Sequence, residues 1–165
     1  MNTFYIILIS CALLLYASFC KRIKRVKNES KEYSDFVKNN PASLITDVYY
    51  GHRAGHATLW IKVKDLEGAI KMDLRQEGKF AEMREVFNPD SDTTRLEPLE
   101  SLLVSDLHGI YKSMKKAYDQ KKYDCYHFAD DLANKIVSKN NGDLNFREAW
   151  IKNNLKEYRE KLNIS

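Results

Sequence analysis

Few residues in this chain have chemistry to offer, and they lie far apart. Cys125 stands in Tyr123-Asp124-Cys125-Tyr126-His127-Phe128-Ala129 and is the only cysteine beyond the first twenty residues. His56 opens an alternating stretch well upstream, and Asp73 lies on the next one. A thiol, an imidazole and a third polar group are the parts of thiol-based acyl chemistry. The sulfur attacks a carbonyl, the imidazole handles the proton, and the third group holds the ring in the needed tautomer. Asp124 suits a helix N-cap, which puts Cys125 in the first helical turn. Free amides and the positive end of the helix dipole gather there. Both favour thiolate over thiol, and the same amides can receive an oxyanion. The Asp124 carboxylate opposes the first effect, because a nearby negative charge raises a thiol's pKa.

For these groups to meet, two strands must pair. Residues 56–63 alternate, with Ala57, Leu59, Ile61 and Val63 on one side and His56, Thr58, Trp60 and Lys62 on the other. Residues 69–75 do the same, with Ile70, Met72 and Leu74 on one side and Lys71, Asp73 and Arg75 on the other. A turn over residues 64–68 closes an antiparallel hairpin that sets residues 73–77 across from His56. Facing residues share a side, so Asp73 joins His56 in this register, and a slip of one residue turns it away. His52, in the glycine-bearing loop 51–55, is a rival base.

The surrounding pattern predicts a strand over 44–50 and a long excursion over 76–97, partly helical around 80–87. Pro98 is expected to open a helix reaching about residue 120, with Leu99, Leu102, Leu103, Leu107, Ile110, Tyr111, Met114 and Tyr118 at spacings of three or four. A second helix runs from Asp124 or Cys125 to about Ser138, and a third covers about residues 145–162. Strands followed by helices indicate an α+β domain rather than a doubly wound sheet.

The same residues have plainer readings. Cys125 shares a helical stripe with Phe128, Ala129, Leu132, Ala133 and Ile136, so a packed, inert thiol is the alternative to a nucleophile. His56 can simply cap a strand edge, and Asp73 can pair with Lys71 or Arg75 in solvent. His52, His56, Cys125 and His127 lack the closely paired ligands of a zinc site, so no metal is expected, nor any organic cofactor. His127 is two positions from Cys125 and turns elsewhere on a helix, a structural placement. His108 is expected on a helix surface. Tyr49 and Tyr50 offer hydroxyls to an oxyanion, although strand tyrosines commonly just pack.

The amino-terminal part has a separate character. Residues 4–20 carry no charge over 17 positions, at the short end of a membrane span. No basic residue precedes them, so an uncleaved anchor is expected rather than a secretory signal. Lys21, Arg22, Lys24, Arg25 and Lys27 follow directly, which predicts a cytoplasmic domain on a single-pass anchor and attraction to anionic lipid headgroups. Setting these five aside leaves 22 Lys and Arg against 23 Asp and Glu. The basic balance therefore belongs to the membrane-adjacent cluster, and a nucleic-acid-binding domain is not expected. With Cys11 and Cys20 in or beside the span, Cys125 has no disulfide partner in the domain. Cys20 is a weak candidate for acylation. The expected division is an anchor with its basic segment over 1–27, a linker with a short helix over 28–43, and a domain over 44–165.

Histidine at a strand start in Gly55-His56-Ala57-Thr58-Leu59-Trp60, a polar residue on the following strand, and a late Tyr-x-Cys-x-His-Phe at a helix start together resemble the circularly permuted papain-like thiol hydrolases. That grouping includes NlpC-type peptidases, lecithin:retinol acyltransferase-like proteins and PPPDE peptidases. The resemblance spans residues 48–137. It implies Cys125 as nucleophile, His56 as base, Asp73 as the third polar position, and a small antiparallel sheet packed on helices. Asp124 departs from the usual Asn before the nucleophile. The implied activity is cleavage or transfer at a peptide, isopeptide or acyl-ester bond through a thioacyl intermediate. A membrane-bound interaction module with a degenerate site is the alternative.

Overall fold

The computed structural model describes residues 29–53, 55–87, 93–114, 117–119, 122–141, 144–146 and 148. In chain order it holds α1 (Lys31–Asn39), β1 (Ile45–Arg53), β2 (His56–Val63), β3 (Ala69–Arg75), β4 (Gly78–Arg84), β5 (Thr93–Leu96), α2 (Val104–Ser113) and α3 (Cys125–Ile136), then a short 3-10 turn. The five strands form one sheet in the order β4-β3-β2-β1-β5, with every neighbouring pair antiparallel. The domain is α+β, as the order of elements predicts. The expected anchor at 4–20, its basic segment and most of the helix expected over 145–162 fall outside the described residues. Among the described residues, no helix is long and apolar enough to cross a membrane.

Side-chain alternation divides the sheet into two faces. The inner face carries Val48, Tyr50, Ala57, Leu59, Ile61, Ile70, Met72, Leu74 and Ala81, all buried. They share one core with Tyr33 of α1, Leu107 and Tyr111 of α2, and Phe128, Leu132 and Ile136 of α3. Helix α3 lies chiefly across β2 and β3. The outer face carries Tyr49, Trp60, Lys71, Asp73, Phe80 and Glu82, as the pairings of Tyr49 with Trp60, Trp60 with Lys71 and Asp73 with Phe80 require. There Phe87 stacks on Trp60 at 4.8 Å between ring centroids and meets Tyr49 edge-on at 5.2 Å.

Four departures from the sequence expectations have physical causes. First, the short helix expected within the linker over 28–43 is α1, and it belongs to the core rather than to a linker. Ser30 caps it by accepting the Tyr33 amide at 3.0 Å, and Tyr33 is fully buried in the core. Second, the loop 51–55 shrinks, because β1 continues to Arg53, which pairs with His56. Gly55 takes the left-handed φ of 74° that the close reversal needs. Third, residues 78–84 and 93–96 are strands rather than a partly helical excursion. Gly78, at φ 131°, turns the chain directly from β3 into β4. Fourth, the helix expected from Pro98 starts only at Val104 and stops at Ser113. Over 98–103 the backbone bonds to other segments. Leu99 N–H donates to the Ile136 carbonyl at 2.9 Å, and the Leu102 carbonyl accepts from Ile45 at 2.8 Å. Ser101 adopts φ 59°, which no helix interior accommodates.

The end of α2 accounts for the lysine on the inner face of β4. Lys79 occupies an inner-face position opposite Leu74 and is 2 % exposed. Its ammonium donates to the carbonyls of Tyr111, Lys112 and Met114, with the last two at 3.0 and 3.1 Å. The last-turn carbonyls of a helix lack internal partners, and a cation there meets the negative end of the dipole. A buried charge is tolerated when it is bonded this fully.

Candidate active site

Cys125 is the first residue of α3, and the geometry of that first turn begins with Asp124. The Asp124 carboxylate, 1 % exposed, accepts through Oδ1 from the amides of Tyr126 at 3.0 Å and His127 at 3.2 Å. The Asp124 amide in turn donates to His127 Nδ1 at 3.2 Å, a reciprocal capping box with histidine in the third position. His127 is thus structural, as its helical offset predicts. Phe128 N–H closes the first helical bond to the Asp124 carbonyl. The expected oxyanion site therefore narrows. Asp124 and the helix itself take the amides that follow Cys125, and the Cys125 amide has no such partner among the described residues. The Cys125 thiol donates to the Gly55 carbonyl at 4.0 Å, a long contact even for sulfur.

His56 is the first residue of β2, and alternation puts it on the outer face with Asp73. Extending the observed pairing of Leu59 with Met72 sets Thr58 across from Asp73 and Arg75 across from His56, so the two site residues are diagonal neighbours on one side. His56 Nε2 donates to Asp73 Oδ2 at 3.2 Å. That carboxylate oxygen also accepts from Arg75 Nε at 3.2 Å and Nη2 at 3.0 Å, and Lys71 Nζ stands 3.4 Å away. Asp73 is 1 % exposed. Burial alone would raise its carboxyl, but the bonds from His56 and Arg75 and the charges of Lys71 and Arg75 outweigh it and hold it below the usual range. With Nε2 on Asp73, Nδ1 is the ring nitrogen with no hydrogen-bond partner among the described residues. The bond to Asp73, then the neighbouring Cys125 sulfur, raises the His56 pKa to about 9 against the opposing pull of burial. At neutral pH the ring is an imidazolium.

Cys125 sits at the start of a helix on the inner face, whereas His56 belongs to the outer one. They meet past the end of the sheet, because each is the first residue of its element. Both line a cleft of about 410 Å³ together with Gly55, Leu74, Arg75, Gln76, Glu77 and Tyr118. The β3–β4 turn forms one wall. The other is Tyr118, from the connection into α3, where Asp119 and Tyr123 make an isolated antiparallel bridge. The Tyr118 hydroxyl is pushed up by burial, then by the charges of Cys125 and Asp124. Of the three residues singled out from the sequence, His56 is hydrogen-bonded to Asp73 and lines the same cleft as Cys125.

Other expectations fare differently. His52 faces inward opposite Ala57, with its ring 5.5 Å from that of Tyr126, and it is not among the residues lining the cleft. Tyr49 faces outward, away from the helices. Tyr50 faces inward and stacks on Phe146 at 3.7 Å, with burial and then the Asp130 charge raising its hydroxyl. His108, expected on a helix surface, is partly buried, and its Nδ1 lies 3.1 Å from the Tyr33 hydroxyl. No group of three or more His, Cys, Asp and Glu side chains among the described residues is arranged to hold a metal ion. Sequence reasoning missed Arg75, Glu77 and Tyr118 as cleft residues. The first two flank the turn after Asp73, so recognising Gly78 as a turn would have found them. No protein-family model, curated protein or solved structure matches the chain.

Proposed function

We propose that this protein is a cysteine-dependent hydrolase or acyltransferase of permuted papain-like type, tethered to a membrane by residues 4–20. The observation that carries the reading is a buried Asp73 hydrogen-bonded to His56, with His56 and Cys125 lining one cleft. The reactive state is a Cys125 thiolate beside the His56 imidazolium that Asp73 stabilises, so the ring acts as the acid of the first step. The thiolate adds to the carbonyl carbon of an amide or ester, and the developing oxyanion takes the Cys125 amide. The tetrahedral species then collapses, the bond to the leaving group breaks, and the imidazolium supplies the leaving group's proton. Water or an acceptor, deprotonated by the now neutral His56, attacks the thioester and releases the acyl group. The chain's own residues supply every role in this sequence. The basic segment 21–27 would hold the domain against anionic headgroups on the cytoplasmic side.

A second reading, an interaction module with a degenerate site, draws on the burial of Cys125, which is 2 % exposed. Alkylation of Cys125 by a small neutral haloacetamide, followed against pH, separates the two. The enzyme reading expects fast alkylation at pH 6–7 that drops by roughly two orders of magnitude in His56→Ala, the usual scale of activation by a neighbouring imidazole. Turnover of acyl substrates is expected to vanish in Cys125→Ala. A thiol that reacts only after denaturation, or turnover unchanged in Cys125→Ala, would remove the proposal.

A further inference from the structure

The walls of the cleft differ in chemistry, and the difference bears on what can be bound beside Cys125. Among the lining residues, Leu74 is fully buried behind the surface, so the Tyr118 ring is the main apolar surface offered. Arg75, Gln76 and Glu77 are polar. A long acyl chain needs a continuous apolar channel to bury its methylenes, and this lining does not supply one. Arg75 is placed to meet a polar group. Its Nε and Nη2 hold Asp73 Oδ2, Nη2 also reaches Glu82 Oε1 at 3.5 Å, its guanidinium lies 4.5 Å from the Phe80 ring, and its side chain is 37 % exposed. That fixes the planar fork and leaves Nη1 as the nitrogen open to a ligand. Of the two carboxylates beside it, Asp73 is buried beneath and Glu82 is shared with Lys71 and Arg84, so the cleft meets the cation more than the anion. His56, charged at neutral pH, adds a second cation at the same rim. Glu77 is exposed at the tip of the turn, and Arg75 feels its charge.

We propose that the cleft is selective for a peptide-type amide carrying a carboxylate near the scissile carbonyl, with Arg75 as the residue that binds this carboxylate and Glu77 as a residue that weakens its binding. The inference rests on the thiol-enzyme reading above and adds the substrate class. Arg75 supplies a charge-assisted bond to the substrate anion, which is worth about a factor of ten or more. Glu77 sets the position of the anion. A carboxylate at the turn tip is repelled, so it belongs on the His56 side of Arg75.

The test uses the full chain in detergent and compares alkylation of Cys125 by iodoacetate and by iodoacetamide. In both, the thiolate forms a carbon–sulfur bond as the carbon–iodine bond breaks and iodide leaves, so the reagents differ mainly in charge. The expected ratio of the two rates is about tenfold above that of the urea-denatured chain. Arg75→Gln is expected to remove most of this excess, beyond what the His56 charge retains. Arg75→Lys should keep part of it, and Glu77→Gln should increase it. Arg75 also supports Asp73, so the exposed Glu77 variant keeps the test valid if Arg75→Gln does not fold. Acidic, neutral and long-chain acyl amides and esters complete the test, with a lower KM expected for the acidic amides. A ratio equal to that of the denatured chain, insensitive to both positions, overturns the substrate class. So does faster turnover of long-chain esters. If Cys125 still alkylates in a His56-dependent manner in those cases, the thiol-enzyme reading survives. If that dependence is lost as well, both fall.

Discussion

At the residue scale, Asp73 is the group on which the proposed chemistry turns. It helps hold the His56 pKa at about 9, so in that mechanism the imidazolium can give its proton to a leaving group up to about that pH. Activity should therefore fall as pH rises through about 9. Asp73→Asn removes the first cause of the raised pKa, and the falling limb should move towards the unperturbed 6.5, which a pH–rate profile of kcat would read. A limb that stays in place would mean that Asp73 does not govern the ring. The same shift affects folding. The stability contributed by the charge on His56 is complete below pH 6.5 and is lost as pH rises through about 9. Denaturant midpoints of wild type and His56→Ala should converge across that interval. Cys125 is legible in the sequence as a helix-start thiol, and Asp124 as its cap. What the sequence does not show is that Asp124, in capping, takes the amides of both Tyr126 and His127.

At the scale of elements, two polar contacts hold the ends of helices that frame the cleft. Asp124→Ala should cost about 1–2 kcal/mol in urea denaturation, the usual loss for an N-cap. The same change should slow Cys125 alkylation if the first turn frays. Lys79→Met preserves much of the side-chain volume but leaves the carbonyls of Tyr111, Lys112 and Met114 without their donor. It should destabilise by roughly 2–3 kcal/mol, the scale of a buried acceptor left unpaired. A neutral or stabilising result would show that water replaces the ammonium there. These contacts also explain what the local pattern missed. Strand β4 alternates correctly, but its first inward residue is a lysine, so the polar side looked continuous. The spacing of Leu99, Leu102 and Leu103 suits a longer α2, while Ile45 claims the Leu102 carbonyl that a helix would need.

At the scale of the whole molecule, the described core begins at Tyr33 and draws on all five strands and three helices, with the cleft opening past one end of the sheet. A chain starting at residue 28 should therefore fold and keep His56-dependent alkylation. The full chain should float with vesicles containing anionic lipid, and the shortened one should stay in the aqueous fraction. Circular dichroism and vesicle flotation check the two halves of this prediction. Loss of folding in the shortened chain would place part of the domain's stability in the amino-terminal run.

The sequence by itself determined the α+β class, strands β2 and β3 and helix α3 with its cap, and it singled out Cys125, His56 and Asp73 as candidates. These follow from short-range regularities, namely alternation over a strand, apolar spacing along a helix, and an aspartate before a first turn. The tertiary structure alone decided that His56 rather than His52 lines the cleft with Cys125, because the two lie on opposite faces of the sheet. It also decided that Arg75, Glu77 and Tyr118 wall the cleft, and that Lys79 belongs inside. Each of these depends on pairing between segments distant in the chain, and such pairing leaves no periodic trace in either segment.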